Sequence, residues 1–176
     1  EELALDFPNG EILDWSIKGK DSPADVLEVS YKVSGTDFIS KVGDNIYIRP
    51  WLNQTWDENP FGAPKRLFPI DFGMKGVLRI SFIFKIPEGY EVTDVPRPAR
   101  VNFPNKEMCY EFSVTESENT LIISSIFTIN QTEFAPENYK NLKRLYDVIM
   151  QKQGGQVVLT KVESVSGENE MGGGQK

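Results

Sequence analysis

Apolar and polar residues alternate with a period of two in three segments of the chain, residues 27–34, 77–86 and 107–114. In the second segment, Leu78, Ile80, Phe82 and Phe84 form one continuous apolar row. Successive side chains of an extended chain point to opposite faces, so each segment is predicted to be a β-strand with one buried face. Further strands are predicted at residues 12–18, 45–52, 66–70, 100–103, 120–130 and 157–162.

The strand predicted around residues 121–129 differs from the others because it is apolar on both faces, which is typical of a strand in the middle of a sheet. Turn sequences such as Pro8-Asn9-Gly10 and Pro87-Glu88-Gly89 separate the predicted strands. Many short strands at regular spacing predict a mainly β fold. The expected architecture is an antiparallel two-sheet β-sandwich, immunoglobulin-like in general architecture, and an up-and-down barrel is the alternative.

Residues 136–153 break this pattern, because Tyr139, Leu142, Tyr146 and Ile149 recur at helical spacing. Pro136 suits the first helical position, and Gly154-Gly155 supplies the end. The segment is therefore predicted to be one amphipathic helix that packs on a sheet.

The length of 176 residues is typical of a single domain, and we expect one that spans residues 1–163. From Ser164 the composition shifts to Ser, Gly, Glu and Asn, so residues 164–176 are predicted to be a flexible tail.

The composition restricts the possible chemistry of the chain more than it restricts the fold. The net charge is −7 and the basic residues are scattered, which disfavours nucleic-acid binding, and no apolar run is long enough to span a membrane. The sequence has no His, which excludes Ser-His and Cys-His nucleophiles and His-based metal sites. Cys109, the single Cys, lies in the middle of a predicted strand between Glu107 and Glu111, which is not the setting of a reactive thiolate. We expect no catalytic residue, cofactor or metal.

One stretch is a candidate interaction surface. Trp51 and Trp56 flank a polar segment, and Phe61 and Arg66 follow. Exposed aromatic rings stack on sugars or on partner proteins, but the same rings could instead cover the open end of the sandwich. The loop at residues 53–64 is long for a compact domain, and such loops are often functional. The acidic cluster at residues 57–59 lacks the spacing of a calcium loop, and carboxylates from distant strands could form a hydrolase site only if the fold brought them together.

The order of several short motifs resembles a bacterial family that carries a transglutaminase-like core followed by a C-terminal domain of unknown function. The similar segments are Asn59-Pro60-Phe61, Arg66, Phe68-Pro69-Ile70-Asp71-Phe72-Gly73, Ile86-Pro87-Glu88-Gly89-Tyr90-Glu91-Val92, Phe134-Ala135-Pro136-Glu137-Asn138-Tyr139 and Val157-Val158-Leu159-Thr160-Lys161. They cover residues 59–161 well and residues 27–52 more loosely.

The resemblance implies a non-catalytic accessory domain that packs on or orients the transglutaminase-like core of the same parent chain. It also implies a periplasmic or cell-envelope location, since such proteins are exported. The family's Cys, His and Asp catalytic set lies in the core, and no position here corresponds to it. The alternative function is a binding module for carbohydrate or another envelope component, with the Trp51–Phe68 stretch as its surface.

Overall fold

The computed structural model describes residues 10–36, 38–51 and 58–162. These ranges contain one α-helix, α1 (Tyr139–Gln153), which follows a 3-10 turn at Pro136–Asn138; another such turn lies at Pro104–Lys106. The strands, in chain order, are β1 (Glu11–Lys18), β2 (Glu28–Ser34), β3 (Ile39–Val42), β4 (Asn45–Ile48), β5 (Ile70–Asp71), β6 (Gly76–Lys85), β7 (Tyr90–Asp94), β8 (Ala99–Asn102), β9 (Met108–Ser117), β10 (Thr120–Ile129), β11 (Glu133–Phe134) and β12 (Val157–Lys161).

Within the described ranges, the strands form four antiparallel sheets. The large sheet has the order β6-β10-β9-β8, and the small sheet has the order β3-β4-β12-β7. Strands β1 and β2 form a separate hairpin, and β5 pairs with β11 in a short ribbon. The predicted fold class is confirmed: the chain is mainly β, with several antiparallel sheets and a single C-terminal helix, consistent with a sandwich-like arrangement. In the described part of the chain, each four-stranded sheet has two edge strands that pair on one side only, whereas a closed barrel has none.

The core lies on one face of the large sheet. Its side chains include Tyr110 and Phe112 on β9 and Leu121 and Ile123 on β10, each no more than 1% exposed. Helix α1 covers this face with its predicted apolar stripe, and the Tyr146 ring lies 5.9 Å from the Phe127 ring. The small sheet contributes side chains such as Val157 and Leu159 to the same core. The apolar faces that the period-two and helical patterns predict are therefore buried against each other.

Strand β10 occupies the interior of the large sheet, as its two apolar faces predict. It pairs with β6 and with β9 over ten consecutive residues each, without a break in register. Both of its backbone edges are consequently bonded.

The helix ends where the sequence predicts. Gly154 still donates its backbone N–H to Met150 O at 2.8 Å, and Gly155 then lies against Pro96. A Cβ added at Gly155 would come within 2.6 Å of Pro96 Cγ, so a side chain at this position would force the two segments apart.

Two strand predictions are wrong in part. The strand predicted at residues 66–70 is only Ile70–Asp71, because Pro64 and Pro69 lack the N–H that a sheet requires and the intervening residues are exposed. The strand predicted at residues 45–52 ends at Ile48, close before Pro50, and Leu52 lies outside the described residues. Strands β3, β7 and β11 were not predicted, since they are two to five residues long and carry little alternation. The predicted tail at residues 164–176 lies outside the described ranges, and the single domain at residues 1–163 stays a prediction.

Candidate interaction surfaces

Trp51, the first residue of the predicted surface, is only 4% exposed. It follows β4 and packs on the inner face of the large sheet, with its ring 4.8 Å from the Phe82 ring and 5.6 Å from the Phe112 ring. Of the two interpretations of these aromatic rings, Trp51 agrees with the one in which they cover the apolar face of the sandwich, and it is not an exposed stacking platform. The apolar face of the sheet needs a large side chain at this point, and Trp51 supplies it.

Phe61 is also buried, at 7% exposure, in a pocket formed by the helix. Its ring meets the rings of Tyr139 and Tyr146 edge-on at 5.7 and 4.8 Å. This arrangement is a favourable geometry for aromatic pairs. Phe61 therefore fixes the segment that contains it to α1 and is not available to a ligand.

Polar contacts reinforce this attachment. Asn59 Nδ2 donates to Lys143 O at 2.9 Å and to Asp147 Oδ1 at 2.6 Å, while Asn59 Oδ1 accepts the backbone N–H of Phe61 at 2.8 Å. The Tyr139 hydroxyl donates to Ala63 O at 2.9 Å. The motif Asn59-Pro60-Phe61 is thus a structural clamp on the helix.

The end of the predicted surface is exposed. Arg66 is accessible to solvent, and Leu67 and Phe68 beside it are 73% and 75% exposed. Trp56 lies outside the described residues. Of the four predicted residues, then, two are in the core, one is exposed, and one cannot be described.

The residues that were considered for catalysis or metal binding do not form a cluster in the described part of the chain. Within it, no group of three or more Asp, Glu or Cys side chains could hold a metal ion. Asp57 of the acidic cluster lies outside the described residues, and Asn59 is bonded to the helix. Cys109 is half-buried, with its thiol 3.9 Å from Lys106 O.

A small cavity of about 30 Å³ lies between α1 and the inner face of the large sheet. Gln153 is 8% exposed there, and its Oε1 has no hydrogen-bond partner among the described residues. The Ser125 hydroxyl donates to the Tyr110 hydroxyl at 3.4 Å. Burial raises the pKa of Tyr110, and the hydrogen bond from Ser125 opposes that rise. This volume suits one or two water molecules and is too small for an organic substrate.

The β1–β2 hairpin carries an apolar face that was not singled out as a site from the sequence. Trp15 lies opposite Tyr31 and Ile17 lies opposite Val29, on one side of the hairpin. Trp15 is 61% exposed, Val29 45% and Ile17 42%. The opposite side is polar, with Ser16 opposite Ser30, and a Lys18–Glu28 ion pair of 3.2 Å lies near the turn.

The register of the hairpin explains how this face forms. The pairing shifts by one residue between Ile12 and Asp14, which is a β-bulge at Leu13. After the bulge, Trp15 and Ile17 fall on the same side as Ile12. The alternation in residues 27–34 was the available signal, but a pattern of this kind does not tell whether the apolar face is covered within the chain.

Comparison with known proteins adds a family but not an activity. The chain resembles, with 14% sequence identity and a TM-score of 0.47, the crystal structure at 2.00 Å of a "putative protease" from Parabacteroides distasonis ATCC 8503. The similarity covers 55% of this chain and 19% of that protein. No curated protein matches the chain. Among the described residues, no helix combines the length and apolar character that crossing a membrane requires.

The family match extends over residues 44–159, which begins after the hairpin and after β3; it includes the large sheet, α1 and, of the small sheet, β4, β7 and the first residues of β12. The chain therefore belongs to the DUF3858 family, a domain of unknown function with a solved structure.

Proposed function

We propose that this chain is a non-catalytic accessory domain of a larger transglutaminase-like protein, and that it packs on the catalytic core of that protein through the apolar face of the β1–β2 hairpin. The observation that carries the proposal is the exposure of Trp15, Ile17 and Val29 on one side of the hairpin, opposite a side that carries the pairs Ser16–Ser30 and Lys18–Glu28. Contiguous apolar surface on a folded domain usually marks an interaction site.

The energetics of the hairpin support a partner. Strands β1 and β2 pair with each other and with no other described strand. An isolated two-stranded hairpin is at best marginally stable in water. Full burial of an exposed large apolar side chain contributes roughly 1.5–3 kcal/mol, and covering these half-exposed side chains contributes about half of that each, so covering this face would stabilise both the hairpin and the contact.

The position of the hairpin in the chain supports a partner on the N-terminal side. It occupies residues that precede the family match, and the resemblance noted above implies a transglutaminase-like core before this domain. The hairpin would then orient the DUF3858 domain against that core. The same resemblance favours a periplasmic or cell-envelope location for the whole protein.

The absence of His from the sequence supports a non-catalytic role. No residue of this chain could act as the imidazole base that activates the Ser or Cys nucleophile of most hydrolases. Chemistry of that kind would have to come from the core of the parent protein.

The alternative function, a glycan-binding module, is less well supported because its main aromatic residues lie in the core. Trp51 and Phe61 are buried, which leaves Phe68 as the exposed ring of that stretch within the described residues. A single ring beside Arg66 is a weaker platform than two aligned indoles.

The proposal is tested by titrating this chain into a transglutaminase-like core expressed from the same gene, with calorimetry as the measurement. Val29→Glu puts a charge on the apolar face. The matched variant Ser30→Glu puts the same charge at the adjacent position, which lies on the polar face. We expect Val29→Glu to weaken binding by about 100-fold and Ser30→Glu to leave it within about threefold. Equal affinities for the two variants, or a gene without such a core, would contradict the proposal.

A further inference from the structure

Strand β6 forms an edge of the large sheet that is unusually long. It has ten residues, whereas β8 at the other edge has four, and the edge strands β3 and β7 of the small sheet have four and five. A long edge strand is a template for pairing with another chain, and proteins usually keep such edges short or covered. In the described part of the chain, β6 pairs only with β10.

The hydrogen bonding shows which residues face the open edge. Ile86 donates its backbone N–H to Asn119 O at 2.7 Å, in register with the unbroken β6–β10 ladder. Backbone groups alternate in direction along an antiparallel ladder, so the even-numbered residues of β6 bond to β10. The odd-numbered residues direct their N–H and C=O groups outward; these are Val77, Arg79, Ser81, Ile83 and Lys85.

The side chains along this edge are apolar or basic. On the outer face, Val77 and Ile83 are 66% and 70% exposed, and on the inner face Leu78 is 60% exposed. The charged residues of β6 are Arg79 and Lys85, both exposed, and Lys75 precedes the strand. Neither Arg79 nor Lys85 has an ion-pair partner among the described residues. A basic edge in a chain of net charge −7 is a local reversal of sign.

We propose that the open edge of β6 binds an extended segment of another protein as a fifth strand of the large sheet, and that this segment alternates apolar with acidic residues. The outward N–H and C=O groups of the odd-numbered residues supply the backbone bonds. The apolar side chains of the segment lie over Leu78, and its acidic side chains lie beside Arg79 and Lys85. This site is separate from the hairpin face and does not rest on the proposed function.

Charge decides between this occupant and a second copy of the chain. Two β6 strands side by side would bring two sets of Arg79 and Lys85 to one edge, and charged residues on an edge disfavour self-pairing. An acidic segment instead neutralises both side chains.

The test uses two synthetic peptides of the length of β6, one alternating Val with Glu and the other alternating Val with Lys, added to the complete chain. We expect the Val–Glu peptide to bind about tenfold more tightly. Amide exchange measured by NMR should slow at Val77, Arg79, Ser81, Ile83 and Lys85, and should stay unchanged at the even-numbered residues, which are already bonded.

Two sets of variants separate the contribution of the backbone hydrogen bonds from that of the charged side chains. Ile83→Pro removes one outward N–H and should abolish binding, whereas Ile83→Thr keeps that N–H and should bind normally. A Val–Glu peptide that is N-methylated at alternate residues gives the same backbone test without altering the protein. The double variant Arg79→Glu, Lys85→Glu should reverse the preference to the Val–Lys peptide.

Three results would overturn the proposal. One is equal affinity for the two peptides, and another is the absence of slowed exchange at the odd-numbered residues at the highest soluble peptide concentration. The third is slowed exchange that depends on protein concentration without peptide, which would make a second copy the occupant.

Discussion

The β1–β2 hairpin and the large sheet carry the same alternation of apolar and polar residues, but among the described residues only the apolar face of the large sheet is covered. Phe112 on β9 is 1% exposed, beneath Trp51, whereas Trp15 on β1 is 61% exposed. A period-two pattern therefore specifies a strand and its faces but not the partner that covers them.

Replacing Phe112 by Ala should lower the free energy of unfolding by about 3–5 kcal/mol, because it leaves a cavity beneath Trp51 in the large sheet. Urea denaturation followed by circular dichroism measures the change. A loss below about 1 kcal/mol would mean that the inner face of the sheet is not the main core.

The helix that covers the sheet should make stability depend on alkaline pH. Burial raises the pKa of Tyr146 to about 12, from an ordinary value of 10.0. The unfolded chain therefore loses the phenol proton at lower pH than the folded chain, and this contribution to stability is present below pH 10 and is lost as the pH rises towards 12. The loss should be about 2–3 kcal/mol.

Tyr146→Phe provides the control for this pH dependence. The variant cannot ionise at position 146, so its stability should fall less steeply between about pH 10 and 12 than that of the parent chain. Urea denaturation at several pH values gives both slopes, and identical slopes would mean that Tyr146 ionises equally easily in both states.

The clamp of residues 59–61 on the helix should have a smaller effect. Asn59→Ala removes two donor contacts to α1 and the acceptor for Phe61 N–H, and should cost about 1–2 kcal/mol of unfolding free energy. Glu58→Ala, at the exposed neighbouring position, should cost less than about 0.5 kcal/mol. Thermal denaturation compares the stabilities of the two variants, and similar melting temperatures would mean that the contacts of Asn59 do not stabilise the fold.

Trp15→Ala in the hairpin should change the free energy of unfolding by less than about 1 kcal/mol, since most of this side chain is in water. The same urea experiment used for Phe112→Ala makes the comparison direct. A loss as large as that of the core variant would show that the hairpin face is covered in the isolated chain.

The sequence predicts the regular parts of the fold well because their patterns are long. Ten-residue strands and a fifteen-residue helix give enough repeats to identify the period, and two apolar faces put β10 inside the sheet. Strands as short as β5 and β11 form because neighbouring segments bring them together, which local sequence does not encode.

The interaction surface was harder to predict, because an aromatic residue in an irregular segment has no periodicity to assign it to a face. Trp51 follows a four-residue strand, and its burial depends on the distant Phe82 and Phe112. Trp15, by contrast, lies on a strand with a clear pattern, yet its exposure depends on the absence of a covering element among the described residues. Both outcomes are properties of tertiary packing and not of local sequence.

Hydrogen exchange of β1 and β2, in this chain alone and in the presence of the proposed transglutaminase-like core, tests the proposed contact of the hairpin face most directly. We expect rapid exchange of the hairpin amides in the isolated chain, relative to β9 and β10, and marked slowing when the core is present. Hairpin amides that are already as protected as those of β10, or that are unaffected by the core, would contradict the claim that this face packs on a partner.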